Sequence, residues 1–362
     1  MASNRPSTLL LRVDGFGWQD CLATGPGSAI LGSLLFSALF SSPMSAKFLL
    51  RVAGTLLLAW AAAAACVALH TPLPWMLGPL VATSVLSMAG APTESWGPLR
   101  NGGQWAIGAA LGLYFTPEVS ALVGSLWWAI VLGIGWALLL GWGFGAWLYR
   151  LHAPRMHGVP APMLRSTSYF AGAIGAASEM TLLSERENAR TDLVAASHSL
   201  RLLIVTITIP FALQWSGLQG LDILTPTVRD VSWPGLALLA LLTGAGALVM
   251  DRLGRANPWF MGAMLVSMAV TMAGLHLSAV PQAVVNAAQL VIGVSLGVRF
   301  RAEFLHTAPR WLASVAVGTF GLMGICAAFA AVLAWATGLP WVTLLLGTSP
   351  GGITEMAITA KV

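Results

Sequence analysis

The sequence predicts an all-α membrane protein made of two inverted repeats, each with about five transmembrane helices and a Gly-rich broken or re-entrant element. Three observations predict it. Hydrophobic residues make up 57% of the chain and charged residues 9%, against roughly 25% charged in a soluble domain. Motifs of the first half return in the second at a nearly constant offset, which is how a duplicated unit shows in sequence. The positively charged loops change sides between the halves, and because Lys and Arg flank the cytoplasmic ends of spans, that swap turns one half over relative to the other.

Residues 1–44 mix Arg5, Arg12, Asp14 and Asp20 with glycines around one apolar run, Ala29 to Phe40. The run is too short for a span and has no small-residue cleavage site after a basic start, so 1–44 reads as an N-terminal extension and Met44 as a candidate start. Residues 45–217 form the first repeat. Lys47 and Arg51 flank its first span, Phe48 to Leu69, and Pro74 to Gly90 and Arg100 to Phe115 follow. Next comes an apolar stretch from Val119 to Leu148, whose Trp127, Trp128, Trp136, Trp142 and Trp147 suit interfacial belts. At about 1.5 Å per residue this stretch outruns a ~30 Å hydrocarbon core, so it has to tilt or project. A polar connection with Arg150, His152, Arg155, His157 and Arg165 leads to a Gly/Ala segment broken around Glu179. A charged loop from Glu185 to Asp192 and a closing span from Val194 to Trp215 complete the repeat.

After a linker at 218–233, the second repeat occupies 234–362. Pro74, Trp75, Gly78, Met88, Ala89 and Gly90 recur at an offset of 184 as Pro258, Trp259, Gly262, Met272, Ala273 and Gly274. At 185, Asn101, Gln104, Ile107, Gly108, Leu111, Gly112, Phe115 and Glu118 recur as Asn286, Gln289, Ile292, Gly293, Leu296, Gly297, Phe300 and Glu303. Eight identities in eighteen positions are more than two unrelated apolar helices share. The broken segment recurs too, at 176: Gly175, Glu179 and Met180 match Gly351, Glu355 and Met356. In the first half, positive charge flanks span one and fills the loop after span four. In the second, Arg252 and Arg255 follow span one and Arg299, Arg301 and Arg310 follow span three, while Ala336 to Pro340 carries no charge. Inversion needs an odd number of crossings per repeat, and five result if the broken element dips in and returns.

Backbone broken by Gly and Pro at membrane depth frees N–H and C=O groups, tolerated only where they line a cavity or are buried in protein. Secondary transporters place such breaks at their binding sites. The doubled Pro-Trp-x-[Leu/Met]-Gly, Gln-x-x-Ile-Gly-x-x-Leu-Gly and Gly-x-x-x-Glu-Met elements of residues 48–362 resemble the AbrB-type duplicated membrane proteins, whose members are often labelled ammonia monooxygenase or regulator. More remotely, the layout is similar to inverted-repeat ion-coupled carriers. The resemblance implies a multi-pass protein of the bacterial inner membrane. It agrees with the residue-level expectation of a secondary transporter for a small, anionic or neutral solute, coupled to H+ or Na+. The alternative is a membrane-embedded regulator or sensor that acts on gene expression indirectly.

The candidate binding residues are Glu179 and Glu355, Ser349, Gly351, Gly352 and Thr354 of the second break, His198 with Arg201, and the pairs Asn101/Gln104 and Asn286/Gln289. A carboxylate inside the membrane needs a partner, a proton or water. Glu179 and Glu355 read either as a titrating pair or as caps of the helices they begin. His198 and Arg201 share a helix face, and Arg201 reads as a holder of an anion or as the counter-ion of Glu179. The Asn/Gln pairs read as interhelical hydrogen bonds or as solute contacts.

The charge of +5 lies in short loops and marks orientation, not a nucleic-acid surface. Cys21, Cys66 and Cys326 have neither disulfide nor zinc spacing. The six histidines are scattered, without the helix-spaced His/carboxylate shell that a monooxygenase metal needs. No enzyme activity, cofactor or metal is expected. The expected partners are the bilayer, a small solute with its coupling ion, and, as a candidate, a second copy of the chain. Because the counterparts of His198 and Arg201 would fall beyond Val362, this reading also expects a further closing span of about thirty residues.

Overall fold

Fourteen helices run through the described part of the computed structural model. In chain order they are α1 Ala46–Ala68, α2 Pro74–Met88, α3 Gly97–Gly112, α4 Pro117–Ser125, α5 Trp127–His152, α6 Ala161–Gly172, α7 Ala177–Arg186, α8 Thr191–Ser216, α9 Trp233–Arg252, α10 Pro258–Met272, α11 Gln282–Gly297, α12 Pro309–Thr337, α13 Trp341–Thr348 and α14 Ile353–Thr359. The structure describes residues 45–156, 158–175, 177–216, 230–300 and 308–360. The N-terminal extension with Met44, most of the linker, His157, and Arg301 and Glu303 of the repeated motif lie outside the described residues.

Five helices, α1, α5, α8, α9 and α12, are long and apolar enough to cross a membrane, and a bent pair could make a sixth span. This is a multi-pass pattern, but with fewer full-length spans than the two sets of five that the sequence predicts. The difference lies in α2, α3, α10 and α11, which have 15 or 16 residues. At about 1.5 Å per residue they are some 22–24 Å long, short of a ~30 Å core. The apolar stretch from Val119 to Leu148 is also not one helix. It is divided at Leu126 between α4 and α5, and α4 turns 86° away from α3. Thr116 caps the turn, its Oγ1 accepting from the Val119 N–H at 3.4 Å, and Pro117 sits at the first helical position, where a missing N–H costs nothing.

The short helices pack through their glycines, and the contacts are reciprocal across the duplication. A Cβ on Gly293 of α11 would lie 2.6 Å from the Met76 carbonyl oxygen of α2, and one on Gly108 of α3 would meet the equivalent Phe260 carbonyl of α10. Gly297 abuts Leu80 and Thr83, while Gly112 abuts Met264 and Ser267. Gly78 is pressed against Ala62 and Ala63 of α1, and Gly262 against Gly246 and Ala247 of α9. Gly103 faces Ala288, its own counterpart, with 3.1 Å from a Cβ to the Ala288 carbonyl oxygen. The chain enters α2 and α10 alike: Leu73 and Asn257 both hold left-handed backbone, at φ 46° and 53°, ahead of the Pro-Trp pair. Leu73, Met76, Leu80, Ile107, Phe260 and Ile292 fill the core between these helices.

A second core is built from α5, α6, α8 and α12 around Phe144, Leu148, Val194, Trp311 and Val315. Trp311 Nε1 donates to Ser197 Oγ at 2.8 Å, and His152 Nε2 pairs with Ser314 Oγ at 3.1 Å, tying α12 to α8 and α5. A smaller cluster joins Val205, Ile209 and Leu213 of α8 to Val342 of α13 and Met356 of α14. Helix α8 therefore contributes to all three, since Leu202, Leu203 and Ile207 also pack on the glycine-paired core.

Candidate functional site

Both Gly-rich segments are helix–break–helix elements. Pro160 and Pro340 enter them with ψ of 136° and 134°. The first half-helix, α6 or α13, then ends in extended backbone at Ala173 (φ −54°, ψ 139°) or Ser349 (φ −67°, ψ 147°). After the break, α7 or α14 begins. The repeated Gly-x-x-x-Glu-Met motif has a local reason. The methionine folds back over the glycine, so a Cβ on Gly175 would lie 3.0 Å from Met180 Cε, and one on Gly351 2.8 Å from Met356 Cε. The glutamate falls in the first turn of the following helix in both copies, where a negative charge meets unpaired N–H groups and the positive end of the helix dipole.

The half-helices leave carbonyls without intrahelical partners, and at the first break α8 supplies the donors. Arg201 is 4% exposed. Its Nη1 donates to the Gly172 carbonyl at 3.2 Å and its Nη2 to the Ala173 carbonyl at 2.8 Å. His198 Nε2 lies 2.8 Å from the Phe170 carbonyl oxygen, and its Nδ1 lies 2.9 Å from Arg201 Nη2. A carbonyl oxygen can only accept, so Nε2 carries the proton and Nδ1 accepts from the guanidinium. The shared face predicted for His198 and Arg201 is therefore present, but the counter-ion role of Arg201 toward Glu179 is not: it caps a broken helix through backbone carbonyls. Among the described residues, the ion pairs are Arg51 with Glu94 and Arg190 with Asp192.

The second break is packed against the next residue of the same helix. A Cβ on Gly352 would lie 3.4 Å from Leu202 Cδ1 and would overlap the Glu355 carboxylate, which curls back over the glycine. Glu355 is 7% exposed and Thr354 3%. Thr354 Oγ1 accepts from Asn257 Nδ2 at 3.3 Å, linking the break to the left-handed entry of α10. Ser349 Oγ lies 3.0 Å from both the Leu346 carbonyl oxygen and the Met356 sulfur. Helix α14 packs on α3, α8 and α13. Glu179 in the first copy is only half-buried, so the two carboxylates occupy matching positions in unequal surroundings.

The remaining candidates lie on the short helices. Asn101 and Gln104 are half-buried on α3, the helix that α14 touches. Asn286 accepts from Gln282 Nε2 at 2.9 Å near the start of α11, and Gln289 is buried beside Ala288 at the crossing with α3. Sequence reasoning did not select Arg100, Asn257 or Leu202, and it read Arg299 only as a loop charge. Arg299 stands two residues past α11 and is half-buried. The available signal was asymmetry: at the repeat offset, Arg100 corresponds to Val285, Arg299 to Tyr114 and Asn257 to Leu73. Among the described residues no three His, Cys, Asp or Glu side chains converge as a metal-ligand set.

A duplicated, multi-pass helical protein with two matched helix breaks is the class that this geometry defines. The chain belongs to the AbrB family, described as "Transition state regulatory protein AbrB", which it matches over residues 75–362. It is 26% identical over 298 residues to a protein of Escherichia coli strain K12 named "Putative regulator AbrB", covering 81% of this chain and 82% of that one. It is 23% identical over 315 residues to the "Uncharacterized protein YhjN" of Bacillus subtilis strain 168, covering 79% of this chain and 78% of that one. No solved structure matches the chain.

Proposed function

We propose that this protein is a secondary carrier of a small solute in the bacterial inner membrane, coupled to H+ or Na+, with its two halves inverted relative to one another. The observation that carries this reading is the pair of helix breaks of like geometry, the first capped by Arg201 of α8 and the second lying with Gly352 beside Leu202 of the same helix. Discontinuous helices at a repeat interface are where carriers of inverted-repeat design bind solute and ion. The reciprocal glycine contacts support a two-fold relation between the halves, because such an axis makes residue i meet j′ wherever i′ meets j. The swapped loop charges support an axis in the membrane plane.

The test is uptake of labelled small anions and neutral solutes into proteoliposomes under an imposed H+ or Na+ gradient. Gradient-driven uptake is expected for at least one solute, and Glu355→Gln should abolish it while inserting normally, since the substitution keeps shape and removes the charge. Wild-type uptake by that variant would make Glu355 structural. Failure of every solute under both gradients would remove the carrier reading. The printed names of the family and of the E. coli relative favour a second reading, a membrane-embedded regulator. On the carrier reading any effect on gene expression is indirect, through the level of the solute.

A further inference from the structure

We propose that the ends of α5, α6 and α12 form a binding site for an anionic phospholipid, whose headgroup phosphate is held by Arg150, Arg165 and Arg310. The site is independent of the carrier reading. Its geometry starts at the last turn of α5, where Tyr149 and His152 stand three residues apart and so share a helix face. The guanidinium of Arg165 from α6 lies over the Tyr149 ring, with Cζ 5.6 Å from the ring centroid. On the α12 side, His152 Nε2 is 3.1 Å from Ser314 Oγ, and the His152 ring is 4.8 Å from that of Trp311. Ser314 Oγ in turn donates to the Arg310 carbonyl at 2.9 Å. One turn of α5, which carries Arg150 itself, therefore adjoins Arg165 of α6 and the first turn of α12 with Arg310, and all three arginines are exposed.

Among the described residues the ion pairs are Arg51 with Glu94 and Arg190 with Asp192, so none of these three guanidiniums has a carboxylate partner there. The tyrosine ring holds Arg165 through its π face, an attraction that consumes none of the five N–H donors. The other basic span ends differ, since Arg51 is paired and Arg252 directly follows Asp251 in the chain. Orientation by positive loops needs charge near a span. It does not need three helices to bring unpaired guanidiniums to one turn. His157, Arg301, Glu303 and His306 lie outside the described residues, and the site is defined by the three guanidiniums, not by a net charge. Depth names the anion. Helices α5 and α12 have 26 and 29 residues, about 39 and 43 Å at 1.5 Å per residue, so they outrun a ~30 Å hydrocarbon core. Their charged terminal turns are the parts that project, into a headgroup layer whose anions are phosphate diesters. A guanidinium fork binds phosphate oxygens in paired hydrogen bonds, and basic clusters between helix ends recognise such headgroups. Trp147, one turn inside Arg150, stacks on Phe144 and reaches α12, where a Cβ on Gly318 would lie 2.8 Å from its Cζ3. It stays 39% exposed, an amphipathic ring at the level of the lipid glycerol. A phosphate held by Arg165 also ties α6, the half-helix that ends in the first break, to α5 and α12.

The experiment is native mass spectrometry of the full chain, purified in detergent and titrated with phosphatidylglycerol, cardiolipin or phosphatidylcholine. At least one of the two anionic lipids should stay bound under activation that strips phosphatidylcholine. Arg165→Gln and Arg310→Gln should each weaken that binding about fivefold, the usual effect of one cation at an anionic lipid surface, and the double variant roughly 25-fold. Arg→Lys at both positions should recover part of the loss. The double variant Arg252→Gln, Arg255→Gln removes the same charge from exposed residues outside the site and should bind as wild type does. Inorganic phosphate should not displace the lipid. Equal retention of phosphatidylcholine, displacement by inorganic phosphate, an equal loss in the Arg252/Arg255 variant, or wild-type binding by the Arg165/Arg310 variant would each overturn the site. Melting temperatures equal to wild type without added lipid show that the variants are folded. If Arg165→Gln melts lower for want of the Tyr149 contact, the double variant Arg150→Gln, Arg310→Gln decides by the same criteria.

Discussion

Arg201 is the clearest case of a buried charge whose purpose is local. It holds two carbonyls at the end of α6, and through His198 it orients the donor to a third. Leaving a buried polar group unsatisfied costs about 1–3 kcal/mol. Arg201→Met should therefore lower the melting temperature in detergent with no solute present, by an amount corresponding to at least that cost, and Arg201→Lys should recover part of it as a single-point donor. Unchanged melting of Arg201→Met would show that the guanidinium is not needed as a cap. Gly352 makes a second residue-level case, because the space a methyl would take is filled by the Glu355 carboxylate. Gly352→Ala should therefore displace that carboxylate and abolish coupled uptake as Glu355→Gln does, with both proteins inserted normally. Uptake by Gly352→Ala at the wild-type rate would separate the carboxylate's position from its role.

Among the elements, the short helices depend on glycine wherever a backbone meets a neighbour. Gly293→Ala and Gly108→Ala should each destabilise by about 1–3 kcal/mol, the usual cost of overpacking. Gly102→Ala, where a Cβ would meet nothing within 4 Å, should leave melting unchanged or raise it slightly. Unequal losses at Gly108 and Gly293 would count against the reciprocity of the two contacts. The duplication was legible in the sequence because Gly108, Gly112, Gly293 and Gly297 serve steric needs that no other side chain meets, so the pattern is repeated with the contacts. The position of both breaks was legible for the same reason, through Gly175 and Gly351. The division of Val119 to Leu148 was not, because Leu126 carries no polar or proline marker. Nor were the partners of Arg201, since backbone carbonyls have no residue type to read.

At the scale of the whole molecule, the inverted arrangement proposed above predicts the sidedness of two exposed arginines. In a cysteine-free background, Arg155→Cys and Arg255→Cys should both react with an impermeant thiol reagent from the cytoplasmic face only. Labelling of the two from opposite faces would mean that the halves run parallel. The placement of α8 has a mechanical consequence. Arg201 and Leu202 are consecutive on a helix, so their side chains leave its axis about 100° apart, one reaching the first break and the other the second. A roll of α8 would move both side chains through the same angle. One turn of α8 thus touches both breaks, so a rotation of this helix would be felt at the first through the Arg201 hydrogen bonds and at the second through the Leu202 side chain.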